Sequence, residues 1–218
     1  MSRLHIAAMP FPSVQGTQAA VRMMVDAEHE AGRAPELLTY AHGGFELKVP
    51  WPHPRIADLT RDRSLQSGPS WRKIVEDAQL VIAARRLHAQ LSPSCTVAHH
   101  VEAAAAALAA RIPDVLFFAH TDLETELPSY LSGTAKRVAG RAGDALDVTL
   151  AKRAHRVAAI SPLLAARLRD KSEREVHYVP VPWTLPSPIE PEERQKARKR
   201  FGLDPVELLV GPVGAAPQ

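Results

Sequence analysis

Three short stretches gather side chains that can bind a ligand or move a proton. "AHHVEAA" at 98–104 sets His99 beside His100, with Glu102 two residues on. "FFAHTDLETELPSY" at 117–130 closes an apolar run on His120 and continues into Thr121, Asp122, Glu124 and Glu126. "PSVQGT" at 12–17 places Gly16 and Thr17 after another apolar run. Imidazole titrates near neutral pH, so a histidine at such a place can act as base, orient a hydroxyl or stabilise phosphate charge. Asp122 and Glu126 have the chemistry of hydroxyl binders. Gly16 can take a positive φ or let a ligand approach the backbone. The helix expected after it offers free N–H groups and a positive dipole end to a phosphate or hydroxyl.

Each residue also has a plainer use. Thr121 and Glu124 fit the T-x-x-E spacing of a capping box. Glu102 falls in a first helical turn, where a negative charge complements the helix dipole. His99 and His100 can serve as structural histidines bonded to neighbouring loops. His99, His100, Glu102, His120 and Asp122 are also ligand types for zinc or iron. Adjacent histidines at a strand end diverge, however, and no HExxH spacing is present, so no metal is expected.

The elements that must position these residues are legible as alternating apolar runs and helix-period segments. "LHIAAM" (4–9), "ELLTYA" (36–41), "CTVAHH" (95–100), "DVLFFAH" (114–120), "RVAAIS" (156–161) and "VHYVPV" (176–181) read as strands. Between them, a helix capped by Thr17 carries Val21, Met24 and Val25 on its apolar face and ends at Gly32. Ser70 caps a long helix with Trp71, Ile74, Val75, Ala78 and Ile82 on one face. An alanine-rich helix follows His100, a helical stretch covers roughly 134–155, and Ser161-Pro162 starts another. The Pro/Gly-rich stretch 43–70 is too long for an ordinary connection and reads as an excursion, with "SGPSW" at 67–71 as a lip on the cleft. Continuous apolar strands alternating with helices predict an α/β fold: a Rossmann-like parallel sheet with helices on both faces. Ligands in such sheets bind at the carboxyl ends of the strands, where all three stretches fall.

With 45% hydrophobic and 23% charged residues, the 218-residue chain has the composition of a globular protein with a core. Its net charge of +3 and 5% aromatic content lack the clustered basic and aromatic residues of a nucleic-acid reader, so no nucleic acid is expected. A single cysteine, Cys95, precludes an internal disulfide and fits a cytoplasmic chain. No run approaches the ~18 apolar residues of a membrane span. Lys136, Arg137, Arg141, Lys152, Arg153 and Arg156 share one helical region; they form a solvated face or a peripheral contact with anionic lipid at the inner membrane face. "VPVPWTLPSPIEPEE" at 179–193 reads as a linker, followed by a basic helix and the apolar run "VELLVG" at 206–211.

Taken together, "P…GTQAAV", "SGPSWRK", "VAHHVEAA", "FFAHTDLETELPSY", "RVAAISPLLAARL" and "VHYVPVPW" resemble the first domain of retaining glycosyltransferases of the GT-B fold, family four. The resemblance covers about residues 4–182. It implies an acceptor-binding domain over 1–182, and over 183–218 a linker and the start of a nucleotide-sugar-binding domain whose donor motif the sequence lacks. It further implies that Gly16 and Thr17 lie in the loop facing the donor diphosphate, that His120 is the catalytic histidine of the reaction centre, and that His99 and His100 mark the acceptor side. Ser161 would follow the strand that leads to the interdomain cleft. Such enzymes need no metal or other cofactor: basic side chains and a helix dipole of the second domain stabilise the leaving diphosphate. The partners implied are a nucleotide-sugar donor and a hydroxyl acceptor, with a donor-domain partner or a second copy completing the enzyme. Alone, the chain is expected to transfer sugar poorly or not at all. The rival readings are a non-catalytic binding module or split-enzyme subunit, and an NAD- or metal-dependent Rossmann-like enzyme; the missing GxGxxG argues against the NAD case.

Overall fold

The structure is a computed structural model that describes residues 2–60, 70–182 and 189–203. The chain divides into two compact units, Met1–Pro182 and Trp183–Gln218. In the first, six strands form one parallel sheet: β1 (Ser2–Ala7), β2 (Ala34–Leu38), β3 (Thr96–His99), β4 (Val115–Ala119), β5 (Arg156–Ala159) and β6 (Val176–Tyr178), in the order β2-β1-β3-β4-β5-β6. The expected strands are therefore all present. The chain winds outward from β1 to β2, then crosses back to β3 on the other side of β1. In open parallel sheets such a reversal, here between β1 and β3, is where ligands bind.

Helices cover both faces. On one face α1 (Gly16–Glu30) lays Val21, Met24 and Val25 on the sheet, as its periodicity predicts. Gly32 follows its end at φ 72°, a left-handed conformation that costs glycine little, and its N–H bonds the His29 carbonyl. The other face carries α2 (Trp71–Leu91), α3 (His100–Ala109), α5 (Ala135–Arg153) and α6 (Pro162–Ser172) around Leu4, Ile6, Ala98, Phe117 and Val157. A short helix, α4 (Leu123–Ser129), packs on α5, where Gly143 lets the α5 backbone approach the Leu123 carbonyl.

The apolar face expected of α2 is corrected. Trp71 and Ile74 are about 70% exposed, and Val75, Ala78 and Ile82 also face solvent. The buried stripe is Leu80 and Ala84, with Leu87 and Leu91 half-buried along the same line. Ser70 does cap this helix, accepting from the Lys73 N–H. The excursion after β2 runs back along the sheet edge: the Leu37 and Thr39 N–H groups bond the Pro52 and Pro54 carbonyls, and Trp51 is buried with its Nε1 on Asp26. It thereby covers an edge strand. Residues 61–69, including most of "SGPSW", lie outside the described residues, as does "VELLVG". In the second unit α7 (Pro191–Arg200) is the expected basic helix.

Candidate functional site

The parallel register places the three chemistry-bearing stretches on one rim. Ala7 of β1 pairs with His99 of β3, and His99 pairs with Phe118 of β4, so the loop after β1, the β3–α3 junction and His120 all leave the sheet at its carboxyl edge.

Three histidines step diagonally across the sheet beneath α1. His5 lies level with Val97, two residues short of His99; His99 lies level with Phe118, two residues short of His120. Same-face residues in neighbouring strands offset by two are close enough for ring contact. His5 Nδ1 is 2.9 Å from His99 Nε2, and His99 Nδ1 is 3.0 Å from His120 Nε2. The His5 and His99 rings are stacked at 5.2 Å and 14°. At the far end His5 Nε2 meets Glu28 Oε2 at 3.2 Å, and Arg3 holds the other carboxylate oxygen at 2.9 Å. Burial pushes Glu28 upward, but His5, Arg3 and Arg33 outweigh it and keep the carboxylate below its usual range. His99 is wholly buried, and burial next to His120 and His5 drives it well below the ordinary imidazole value. His120 is 7% exposed and pushed down to about 3, first by burial and then by the charge of His100. Its Nδ1 is buried and has no hydrogen-bond partner among the described residues.

His100 is the opposite case. Burial alone would lower it, yet the hydrogen bonds and charges of Glu102 and Glu126 raise it to about 9. Its Nδ1 donates to Glu102 Oε2 at 2.7 Å and its Nε2 to Thr121 Oγ1 at 2.6 Å. The Thr121 hydroxyl donates to Glu126 Oε2, and Tyr130 Oη donates to Glu126 Oε1 at 2.9 Å. Glu126 falls to about 2, chiefly through the His100 bond. His100 also holds φ at 73°, a left-handed conformation that costs a non-glycine residue about 1–3 kcal/mol.

Several sequence expectations change here. His99 has no exposed surface and cannot touch an acceptor; it links His5 to His120 instead. Asp122 is not a free hydroxyl binder: it caps α4 at the Glu124 N–H and pairs with Arg167 at 3.0 Å. The cap thus sits one residue later than T-x-x-E predicts, and Glu124 turns to Arg167 and Lys171. Both Glu126 oxygens are engaged within the fold. Ser161 caps α6, its Oγ accepting from the Leu164 N–H at 3.2 Å. Gly16 does not adopt a positive φ; it is the first residue of α1, exposed, with open space where a side chain would stand. Thr17 does not cap α1; Gln15 stands at the cap position without a side-chain cap bond. Gln15 therefore gives the first turn of α1 no side-chain cap, and Val14 just before it is 91% exposed. His5 and Glu28 escaped the sequence reading. The available signal was a histidine inside "LHIAAM", and a carboxylate at i+4 and i+7 from Met24 and Val21 on an apolar helix face.

Among the described residues no group of three or more His, Cys, Asp or Glu is arranged to hold a metal ion, and no helix is long and apolar enough to cross a membrane.

No protein-family model and no curated protein sequence matches the chain. Solved structures do match. Sucrose-phosphate synthase of Thermosynechococcus elongatus superposes with a TM-score of 0.69 at 15% identity, over 93% of this chain and 53% of that one. HepE of Anabaena, solved with UDP and glucose, gives 0.59 at 16% identity over 92% and 50%. WaaG, a glycosyltransferase involved in lipopolysaccharide biosynthesis, gives 0.60 at 12% identity over 93% and 52%. The chain spans about half the length of each. It has the fold of one Rossmann-like lobe of a GT-B protein.

Proposed function

We propose that residues 1–182 form the N-terminal, acceptor-binding lobe of a family-four-like retaining glycosyltransferase. The complete enzyme moves a hexosyl group from a nucleotide-sugar donor to a hydroxyl acceptor and uses no metal or other cofactor. His120 orients the acceptor hydroxyl at the reaction centre, and the open first turn of α1, with Gly16 and Thr17, lies against the diphosphate. His100, held as a cation between Glu102 and Glu126, is compensated by them and orders the same rim. The observation that carries this reading is the match of nearly the whole chain to half of a sucrose-phosphate synthase, combined with an unpartnered imidazole nitrogen at the carboxyl edge.

The remaining half of such an enzyme is a donor lobe. A non-catalytic binding module or a subunit of a split enzyme is the second reading. A cytoplasmic location with a peripheral contact through Lys136, Arg137 and Arg141 fits both readings; these side chains are exposed on α5. Calorimetric titration of this chain with UDP-glucose tests the division of labour. Weak or absent binding is expected, and submicromolar affinity would refute the claim that the donor site lies elsewhere.

A further inference from the structure

We propose that Glu28, His5 and His99 fix the tautomer of His120, so that His120 carries its proton on Nε2 and offers Nδ1 as a hydrogen-bond acceptor. The donor directions follow link by link. A carboxylate can only accept, so His5 Nε2 bears the proton that meets Glu28. In neutral His5, Nδ1 then holds a lone pair, and His99 Nε2 must donate to it. His99 Nδ1 in turn accepts, so His120 Nε2 donates. His120 Nδ1 is left with a lone pair and no partner.

The reverse polarity requires an extra proton on His5, which would invert every donor in the row. The surroundings oppose it. Arg3 and Arg33 already stand against Glu28, at 2.9 and 3.9 Å, and His5 is 2% exposed. A third cation there would have no uncompensated charge to meet. Reversal would also leave a buried N–H on His120 without an acceptor, which costs more than an idle lone pair. The His100 cation further disfavours protonating His120.

His120 Nδ1 has no accessible surface in this structure, so a group meets it only after the ring or the loop beside it shifts, and that group must be a hydrogen-bond donor. A hydroxyl satisfies it, and a phosphate or carboxylate oxygen does not. Identifying that hydroxyl with a sugar acceptor rests on the glycosyl-transfer reading; the tautomer itself does not. Glu28, His5 and His99 are positioning residues, since none of them has a surface at the rim.

The test is a long-range proton–nitrogen correlation spectrum of the histidine rings in the full, 15N-labelled chain at neutral pH without ligand. His120 is expected as a single tautomer with a protonated Nε2 and a lone-pair shift at Nδ1. A protonated Nδ1 in the unaltered chain would overturn the proposal, with no variant needed. His5→Phe keeps a ring stacked on His99 but removes the lone pair; His120 should then lose its single-tautomer signature while the remaining spectrum stays dispersed. His99→Phe, packed against Phe118, cuts the row next to His120 and should do the same. An unchanged Nε2–H tautomer in either folded variant would refute the positioning role. None of these measurements involves a sugar, so their failure is separate from failure of the donor titration.

Discussion

His99 and His120 are joined through Nδ1 and Nε2 at 3.0 Å, and the boundary between core and rim runs between them. One ring is wholly buried; the other is 7% exposed and ends in a buried nitrogen without a partner among the described residues. Two histidines that look equivalent in sequence thus differ in their surroundings: His99 bonds a ring on either side, while His120 bonds one and keeps that Nδ1. In a complex completed with a donor lobe, His120→Ala should lower kcat/KM about tenfold or more, the equivalent of one hydrogen bond to a polarised hydroxyl near 1.4 kcal/mol. Steady-state kinetics at varied acceptor concentration measures it, and unchanged turnover would remove His120 from the reaction centre.

The His100 cluster gives a defined pH window. His100 rises from 6.5 to about 9 in the fold, so its stabilisation is complete below about 6.5 and lost as pH climbs through 9. Glu126 falls from 4.5 to about 2, so its share is complete above about 4.5 and lost as pH falls toward 2. At 1.36 kcal/mol per pKa unit the His100 shift is worth roughly 3 kcal/mol. Urea denaturation of the unaltered chain and of His100→Gln should differ most between pH 5 and 6.5 and converge by pH 9.5. A gap that persists at pH 9.5 would show that lost packing, not charge, sets the effect.

The sheet was readable because buried parallel strands are continuous apolar runs, and "DVLFFAH" or "CTVAHH" can hardly be anything else. The rim was readable because polar residues that close such runs must lie at a strand end. The orientation of α2 was not. That helix carries two apolar lines, Trp71-Ile74-Val75-Ala78-Ile82 and Leu80-Ala84-Leu87-Leu91, and periodicity finds a stripe without saying which one meets the core. The histidine row was hidden for a different reason. Its members are separated by 94 and 21 positions, and only the strand order β1-β3-β4 and its register make them neighbours. Asp122 was misread because its partner Arg167 sits on α6, whose packing the sequence does not declare, whereas both hydroxyl partners of Glu126, Thr121 and Tyr130, lie within five residues of it and were within reach of the sequence.

Arg167 anchors α6 to α4 and α5 through four carboxylates: Asp122 at 3.0 Å, Glu124 at 3.3 Å, Asp144 at 2.7 Å and Asp147 at 2.5 Å. Asp147 is fully buried, and burial lifts it to about 6 even though Arg167 pulls it down. Removing the cation leaves a buried carboxylate without compensation, a loss of about 3–5 kcal/mol. Arg167→Met should therefore lower the urea midpoint strongly, while Lys171→Met, whose partly exposed ammonium meets only Glu124 and Asp144 of these four, should cost under about 1 kcal/mol. Equal effects would mean that Arg167 acts through surface charge alone.

Two glycines separate a packing requirement from a ligand requirement. A methyl group on Gly143 would overlap the Leu123 carbonyl where α5 crosses α4, and backbone on both sides leaves little room to yield. Gly143→Ala is expected to destabilise the fold by about 1–3 kcal/mol, despite alanine's better helix propensity. At Gly16 the same methyl group meets open space at the first position of α1, so Gly16→Ala should leave the melting temperature unchanged or slightly raised. If the first turn of α1 lies against a diphosphate, Gly16→Ala should nonetheless weaken donor binding in the completed enzyme, because the added carbon stands between ligand and backbone N–H groups. Melting curves and donor titration of the two variants should therefore rank them in opposite order. If Gly16→Ala leaves both quantities unchanged, the loop after β1 is an ordinary strand–helix turn, and the ligand meets the rim at His120 instead.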